Sequence, residues 1–148
     1  MSACVLASSS HSLPSGRPLR ILEHPAYFEQ FTFLDDGARI LSVHKDAEVR
    51  IWDTSTGRLV TSTRISAIEP SEHIRSLSHD PGRNLVVVTA WNGPIVIWDY
   101  KAGQPRAAVI FDASKDNGVR PDAAALSRDG RTLVAGGDNI VKRFDVAT

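Results

Sequence analysis

The residue types of a hydrolytic catalytic group occur close together in this 148-residue sequence. His24, Ser42 and Asp46 could serve as general base, nucleophile and orienting carboxylate, which are the three roles in Ser-His-Asp hydrolases. The sequence has no Gly-x-Ser-x-Gly segment, the sharp turn that exposes the nucleophilic serine in one large class of hydrolases. The elements around the three residues therefore decide whether they do chemistry or support the fold.

A repeated pattern surrounds these residues. Three short hydrophobic runs each end in an aromatic residue followed by aspartate, and the aromatic residues, Trp52, Trp98 and Phe144, are spaced 46 residues apart. An Asp-Gly type turn precedes each run, at 36–37, 80–82 and 129–130. A fixed period of this size is typical of repeat architectures. Strands that alternate with turns in each repeat predict the four-stranded antiparallel blades of a β-propeller.

The first repeat resembles the WD-repeat family of propellers. It has the family's histidine, Asp-Gly, hydroxyl residue, aspartate and Trp-Asp pair in order, at His24, Asp36-Gly37, Ser42, Asp46 and Trp52-Asp53. The resemblance covers roughly residues 16–146 and implies a noncatalytic scaffold that binds other proteins. It also implies a structural tetrad, in which the histidine donates to the aspartate, the serine reaches the histidine and the indole N–H caps the serine. Its members would be His24, Ser42, Asp46 and Trp52.

The second and third repeats depart from this pattern. Val88 and Val134 stand where the first repeat has its hydroxyl residue, and Phe144 has no N–H to donate. Neither repeat has a histidine at the matching upstream position. We therefore expect these two blades to be held mainly by apolar packing, and we interpret Gly136-Gly137 as the turn between the second and third strands of the last blade.

Alternation of apolar residues and turn residues predicts eleven strands. They lie at 28–34, 39–43, 48–52 and 59–64, then at 74–78, 84–90, 95–98 and 106–111, and finally at 123–127, 132–135 and 140–144. The fold class is all-β: a β-propeller-type array of about three four-stranded antiparallel blades, that is, a partial propeller whose last blade lacks its fourth strand.

The domain assignment follows the repeats. Residues 1–15 are an N-terminal tail or the remnant of a preceding blade, and residues 16–148 are the partial propeller, with repeats at about 24–64, 65–111 and 112–148. The segment Pro18–Leu22 resembles an outer strand and could complete the third blade. Three blades make a poor ring, so we expect an open or fragmentary propeller in preference to a homodimer closed from two chains, with docking onto another propeller as a further possibility.

Composition narrows the class of partner. Lysine plus arginine equal aspartate plus glutamate at 17 each, so we expect neither nucleic acid nor a membrane surface as partner. No apolar run approaches the ~18 residues of a membrane span. The single cysteine fits a reducing compartment, and we expect an intracellular protein, cytoplasmic or nuclear. The histidines have no metal-ligand spacing, so neither a metal nor a cofactor is expected.

Partner binding is expected at one end of the array, where loops are held by rigid strands. The candidate residues lie on the connections that enter each first strand and on the turns between second and third strands: Tyr27, Glu29, Lys45, His73, Arg75, Trp91, Arg120 and Asp122. We expect Trp91 to be the anchor, because it directly precedes a turn and exposed tryptophan is a typical interface residue. The alternative is that Trp91 covers the edge of its own blade.

Two other functions remain open. A propeller hydrolase would need carboxylates that converge from several blades, and the sequence offers Glu29 and Asp122 at the starts of first strands. A truncated propeller segment would have no independent function.

Overall fold

The computed structural model describes residues 22–23, 26–91, 94–109 and 120–146. Within these ranges the chain forms three antiparallel sheets and one 3-10 turn at Asp35–Gly37, which confirms the all-β, propeller-type prediction. None of the helical structure described there is long and apolar enough to cross a membrane.

Each predicted strand is present, and the ends that fall within the described residues differ from the prediction by at most two residues. The predicted end of the eighth strand, at residues 110–111, lies outside them. Sheet 1 contains β1 (Phe28–Leu34), β2 (Arg39–His44), β3 (Glu48–Asp53) and β4 (Leu59–Arg64). Sheet 2 contains β5 (Ile74–Asp80), β6 (Leu85–Ala90), β7 (Ile95–Asp99) and β8 (Gln104–Val109). Sheet 3 contains β9 (Ala123–Leu126), β10 (Thr132–Gly137) and β11 (Ile140–Asp145).

The sheets are arranged like the blades of a propeller. Within each sheet the strands follow one another in chain order, and each pairs with the next. The first strands lie side by side across the sheets, since β1 contacts β5 and β5 contacts β9. The remaining strands of each sheet lie progressively farther from this central row.

Two apolar cores hold the array together. The core between sheets 1 and 2 includes Leu41, Val43 and Ile51 from sheet 1 and Val86, Val88 and Trp98 from sheet 2. The core between sheets 2 and 3 includes Val87, Ile95 and Ile97 from sheet 2 and Leu133 and Ala135 from sheet 3. Burial of each large aliphatic side chain contributes about 1.5–3 kcal/mol. Sheets 2 and 3 are thus packed through apolar side chains, as the sequence predicts.

A buried chain of hydrogen bonds joins β2 to β3. The indole N–H of Trp52 donates to Ser42 Oγ at 2.8 Å, and Ser42 Oγ lies 2.8 Å from His44 Nε2. His44 Nδ1 lies 3.4 Å from the carbonyl oxygen of Ala26, so Nδ1 carries the proton and Nε2 accepts from the serine hydroxyl. All three side-chain partners belong to buried residues. His24 lies outside the described residues, and its place in the tetrad stays a prediction.

Asp46 closes the turn between β2 and β3. Its carboxylate accepts hydrogen bonds from the Glu48 N–H at 3.0 Å and from Arg50 Nη2 at 2.9 Å. Burial acts to raise the pKa of Asp46, but the bonds from Arg50 and Glu48 outweigh it and hold this pKa below its ordinary value. The Asp46 side chain is 39% exposed, so its carboxylate is only partly buried. Arg50 is the buried member of the pair, with a side chain only 4% exposed.

The register of sheet 3 corrects two expectations. Phe144 pairs with Leu133, whereas the equivalent aromatic residue Trp98 pairs with Val86. The span from β10 to β11 is therefore one residue shorter than in sheet 2, and Ala135, not Val134, occupies the position of Ser42. The double glycine also belongs to β10, which extends to Gly137 before a turn at residues 138–139.

The aspartates of the Trp-Asp pairs cap the turns that follow. Asp53 Oδ1 accepts bonds from Ser55 Oγ at 2.7 Å, Thr56 N at 2.8 Å and Thr56 Oγ1 at 2.9 Å. These bonds, led by that from Ser55, lower the pKa of Asp53 to about 2. Asp99 caps the corresponding turn of sheet 2 through the N–H groups of residues 101 and 102. The pair thus has a local, structural role.

We predict that Ser42→Ala destabilises the protein by about 1–3 kcal/mol, because it leaves the Trp52 N–H and the His44 ring nitrogen without their shared partner. The measurement is urea unfolding, with Ser71→Ala at an exposed serine as the matched control. An unfolding midpoint that Ser42→Ala leaves unchanged would contradict a stabilising role for these hydrogen bonds.

We also predict a pH-dependent contribution from Asp53. Its pKa of about 2 in the folded state lies below the ordinary value of 3.8, so the ionised form favours folding. This contribution is complete above the ordinary value and is lost as pH falls through about 2. Melting temperatures recorded over this acidic range should therefore fall less steeply for Asp53→Asn than for the unchanged protein. If the melting temperatures of the two proteins fell in parallel with pH, the hydrogen bonds to the Asp53 carboxylate would not contribute to the stability of the fold.

Candidate protein-binding site

One end of the array carries the connections that enter the first strands and the turns between second and third strands. We call it the upper end. It is organised alike in sheets 1 and 2, because the Lys45 N–H donates to the carbonyl of Tyr27 at 2.9 Å and the Trp91 N–H donates to that of His73 at 2.8 Å. The candidates Tyr27 and His73, and likewise Lys45 and Trp91, occupy equivalent positions.

A β-bulge places one charged residue of each of the first two sheets toward the next sheet. Pairing of β1 with β2 passes over Glu29, and pairing of β5 with β6 passes over Arg75. A bulge bends its strand and changes the direction of a side chain. Both side chains make contacts across a sheet boundary, so the bulges help to join neighbouring sheets at the upper end.

Glu29 joins sheet 1 to sheet 2. Its carboxylate lies 2.8 Å from His73 Nδ1 and also accepts the backbone N–H of Ile74. The Glu29 side chain is only 12% exposed, whereas that of His73 is 62% exposed. The glutamate is therefore chiefly a structural link, and the histidine ring is the part of this pair that a partner can reach.

Arg75 joins sheet 2 to sheet 3. Its Nε and Nη2 atoms lie 3.0 Å and 2.5 Å from Asp122 Oδ1. The Arg75 and Asp122 side chains are 38% and 50% exposed, so water screens this pair and it adds little stability, about 0–1 kcal/mol. Its main effect is to hold the arginine in one position.

Trp91 lies against two guanidinium groups. The central guanidinium carbon of Arg75 is 4.0 Å from the indole centroid, and that of Arg120 is 5.2 Å away. Both distances are within the range of cation–π attraction. The four residues Arg75, Trp91, Arg120 and Asp122 therefore form one connected group at the upper end, which we call the Trp91 cluster. Trp91 itself is partly buried.

Gly137 allows the chain to approach this cluster closely. A β-carbon at this position would lie 1.9 Å from the carbonyl oxygen of Arg120, which is far inside van der Waals contact. Any side chain would thus displace the segment that carries Arg120 and Asp122. The sequence shows two adjacent glycines at 136 and 137. It does not show that Gly137 meets Arg120, because this contact joins segments that are distant in the chain.

The remaining candidates are exposed without joining the cluster. Tyr27 is 81% exposed, and Lys45 lies at the surface of the same sheet. Among the eight candidates, the structure thus brings four together around Trp91, pairs Glu29 with His73 and leaves two on sheet 1.

The carboxylates that a hydrolase would need are engaged between sheets. Glu29 bonds to His73 and Ile74, and Asp122 bonds to Arg75. They therefore make different contacts and do not form one acid–base pair. Across the described ranges no group of three or more histidine, cysteine, aspartate or glutamate residues could hold a metal ion.

Comparison with known proteins places these features in context. No protein-family model matches the sequence. The chain is 28% identical to "Small ribosomal subunit protein RACK1" of Caenorhabditis elegans, in a match that covers 84% of this chain and 38% of that protein. It is 25% identical to "Eukaryotic translation initiation factor 3 subunit I" of Lodderomyces elongisporus, over 89% of this chain and 52% of the relative.

Both relatives are WD-repeat proteins, and the chain spans about half or less of their length. The sequence is therefore similar to proteins of the WD-repeat type at low identity, and its three sheets have the organisation of propeller blades.

Proposed function

We propose that this chain is a noncatalytic WD-repeat scaffold that binds another protein through its upper end, with Trp91 as the anchor. The observation that carries the proposal is the position of the indole ring beside the guanidinium groups of Arg75 and Arg120. Tryptophan and arginine are the residue types that most often dominate the energy of protein interfaces.

The Trp91 cluster suits an anchor because its geometry is set before binding. Arg75 is held by Asp122 and in turn lies over the indole ring. A side chain that is already ordered loses less conformational entropy when a partner binds, which leaves more of the contact energy for affinity. His73 and Lys45 extend the same end of the array toward sheet 1 and add polar groups at its margin.

The relatives suggest the kind of partner. Their names describe a protein of the small ribosomal subunit and a subunit of a translation initiation factor, so each belongs to an assembly of several components. We propose that this chain likewise joins a multi-protein assembly in the cytoplasm, where a rigid surface holds other proteins together.

The test is replacement of Trp91 by alanine in a tagged chain, followed by affinity capture and quantitative mass spectrometry. We predict that proteins retained by the unchanged chain are lost, and that a purified partner identified in this way binds at least about tenfold more weakly. Leu59→Ala, at an apolar residue 46% exposed on β4, is the matched control and should retain the same proteins.

Thermal unfolding of each variant separates loss of binding from loss of fold. A cooperative transition for Trp91→Ala, together with an unchanged set and amount of captured proteins, would rule out Trp91 as the anchor.

A further inference from the structure

One histidine lies where the other two sheets have large apolar residues. The pairing register places Phe33 of sheet 1, His79 of sheet 2 and Leu126 of sheet 3 at equivalent positions of the first strands. Each lies opposite the second-strand residue that pairs with the aromatic residue of its own repeat. Histidine is the side chain whose charge ordinarily changes between about pH 5 and about pH 8. Sheet 2 therefore has a titratable group at a position that is apolar in the other two sheets.

The His79 side chain belongs to the junction between sheets 1 and 2. Directly opposite residues of antiparallel strands lie on the same face, and Val86, which lies opposite His79, is part of the core between these two sheets. The His79 ring meets the Tyr100 ring nearly edge-on, with centroids 5.6 Å apart and 61° between the ring planes. Tyr100 is only 4% exposed. The histidine is thus packed at the end of β5 that lies away from the upper end, which we call the lower end.

One nitrogen of this ring is buried and has no hydrogen-bond partner. In the part of the chain that the structure describes, no group bonds to His79 Nε2, and the atom is shielded from water. A neutral imidazole has one nitrogen that only accepts, whereas in the imidazolium ion both nitrogens are donors. A buried donor without an acceptor is costly, and more so when it is charged. Protonation at Nε2 would therefore destabilise the packed state of this ring.

The two carboxylates that act on the ring already have other partners. Asp80 Oδ2 accepts from Arg83 at 2.9 Å, and Asp80 Oδ1 accepts the Gly82 N–H at 3.0 Å. Asp35 Oδ2 lies 3.6 Å from Arg39 Nε. Their negative charges favour an imidazolium ion, but neither carboxylate is bonded to Nε2.

Burial decides the balance between these effects. It lowers the pKa of His79 below the ordinary value of 6.5, although the charges of Asp80 and Asp35 and the Phe33 backbone act to raise it. Tyr100 stays a neutral phenol in this range, because burial raises its pKa above 10.0. The neutral form of His79 therefore favours folding. This contribution is complete above 6.5 and is lost as pH falls from there through the lowered value.

We propose that His79 is an acid-sensitive contact between sheets 1 and 2: its neutral ring packs against Tyr100, and protonation at Nε2 weakens this junction in mildly acidic solution. The junction between sheets 2 and 3 has Leu126 at the equivalent position, so acid acts selectively on the packing of sheet 1. The Trp91 cluster lies at the junction between sheets 2 and 3, so this inference does not depend on the proposed binding function.

The test compares the unchanged chain with His79→Leu and His79→Phe, which introduce the residue types of the other two sheets. Between about pH 7.5 and about pH 5.5, the melting temperature should fall more for the unchanged chain than for either variant, because only histidine is protonated in this range. The matched control is His73→Leu, at an exposed histidine, and it should retain the fall.

Hydrogen exchange measured by mass spectrometry locates the effect. After correction for intrinsic exchange rates, acid should speed exchange in β1 of the unchanged chain at least about twofold more than in β9, since local opening sets the exchange rate. This difference should disappear in His79→Leu. Equal acceleration in both strands would contradict a selective effect on sheet 1.

Titration of the His79 ring by NMR in the unchanged chain keeps the test independent of the variants. We expect a midpoint below 6.5 and a proton on Nδ1 in the neutral form. A midpoint at or above 6.5 would overturn the proposal. So would a cooperatively folded His79→Leu chain whose melting temperature falls with acid as much as that of the unchanged chain.

Discussion

Packing of one sheet face against the next is the interaction on which the whole array depends. It is clearest in β6, where Val86 and Val88 point into one core and Val87 into the other. A strand buried on both faces needs a continuous apolar run, and β6 has no charged residue. The two outer faces of the array are not covered in this way, since Phe31 of sheet 1 is 47% exposed and Val141 of sheet 3 is 75% exposed. Sheet 2 is thus the fixed element against which both neighbours are positioned.

The junction between sheets 2 and 3 supports the proposed binding surface at the upper end. At its upper end Arg75 crosses from sheet 2 to Asp122, and at its lower end Arg83 crosses to Gly130. Between these two contacts lies the apolar core that contains Ile97 and Leu133. Polar side chains at the margins of a buried core lose little conformational entropy when they bind a partner, because the core already fixes their backbones. The same core therefore orders the Trp91 cluster.

Much of this structure could be predicted from spacing. The aromatic residues 46 apart located the sheets, and alternation located their strands to within two residues. The Trp91 cluster was partly predictable, because equivalent turns return to the same end of the array. The hydrogen bond between Ser42 and His44 could not be predicted, because both residues lie on one strand and the repeat pattern pointed to His24.

The shorter β10–β11 span has a consequence for recombination of the repeats. Positions in β9 and β10 correspond to sheet 2 at a distance of 47 residues, as Leu133 does to Val86, while β11 corresponds at 46, as Phe144 does to Trp98. Consider a chimera in which β6 replaces β10 and the two strands are aligned 46 residues apart. The side chains of β6 that point into the core would then point to the outer face, since a shift of one residue exchanges the two faces of a strand. A crossover in the turn at residues 138–139 preserves both faces, because the one-residue difference lies between β10 and β11. The repeats are therefore alike in fold but are not interchangeable as modules.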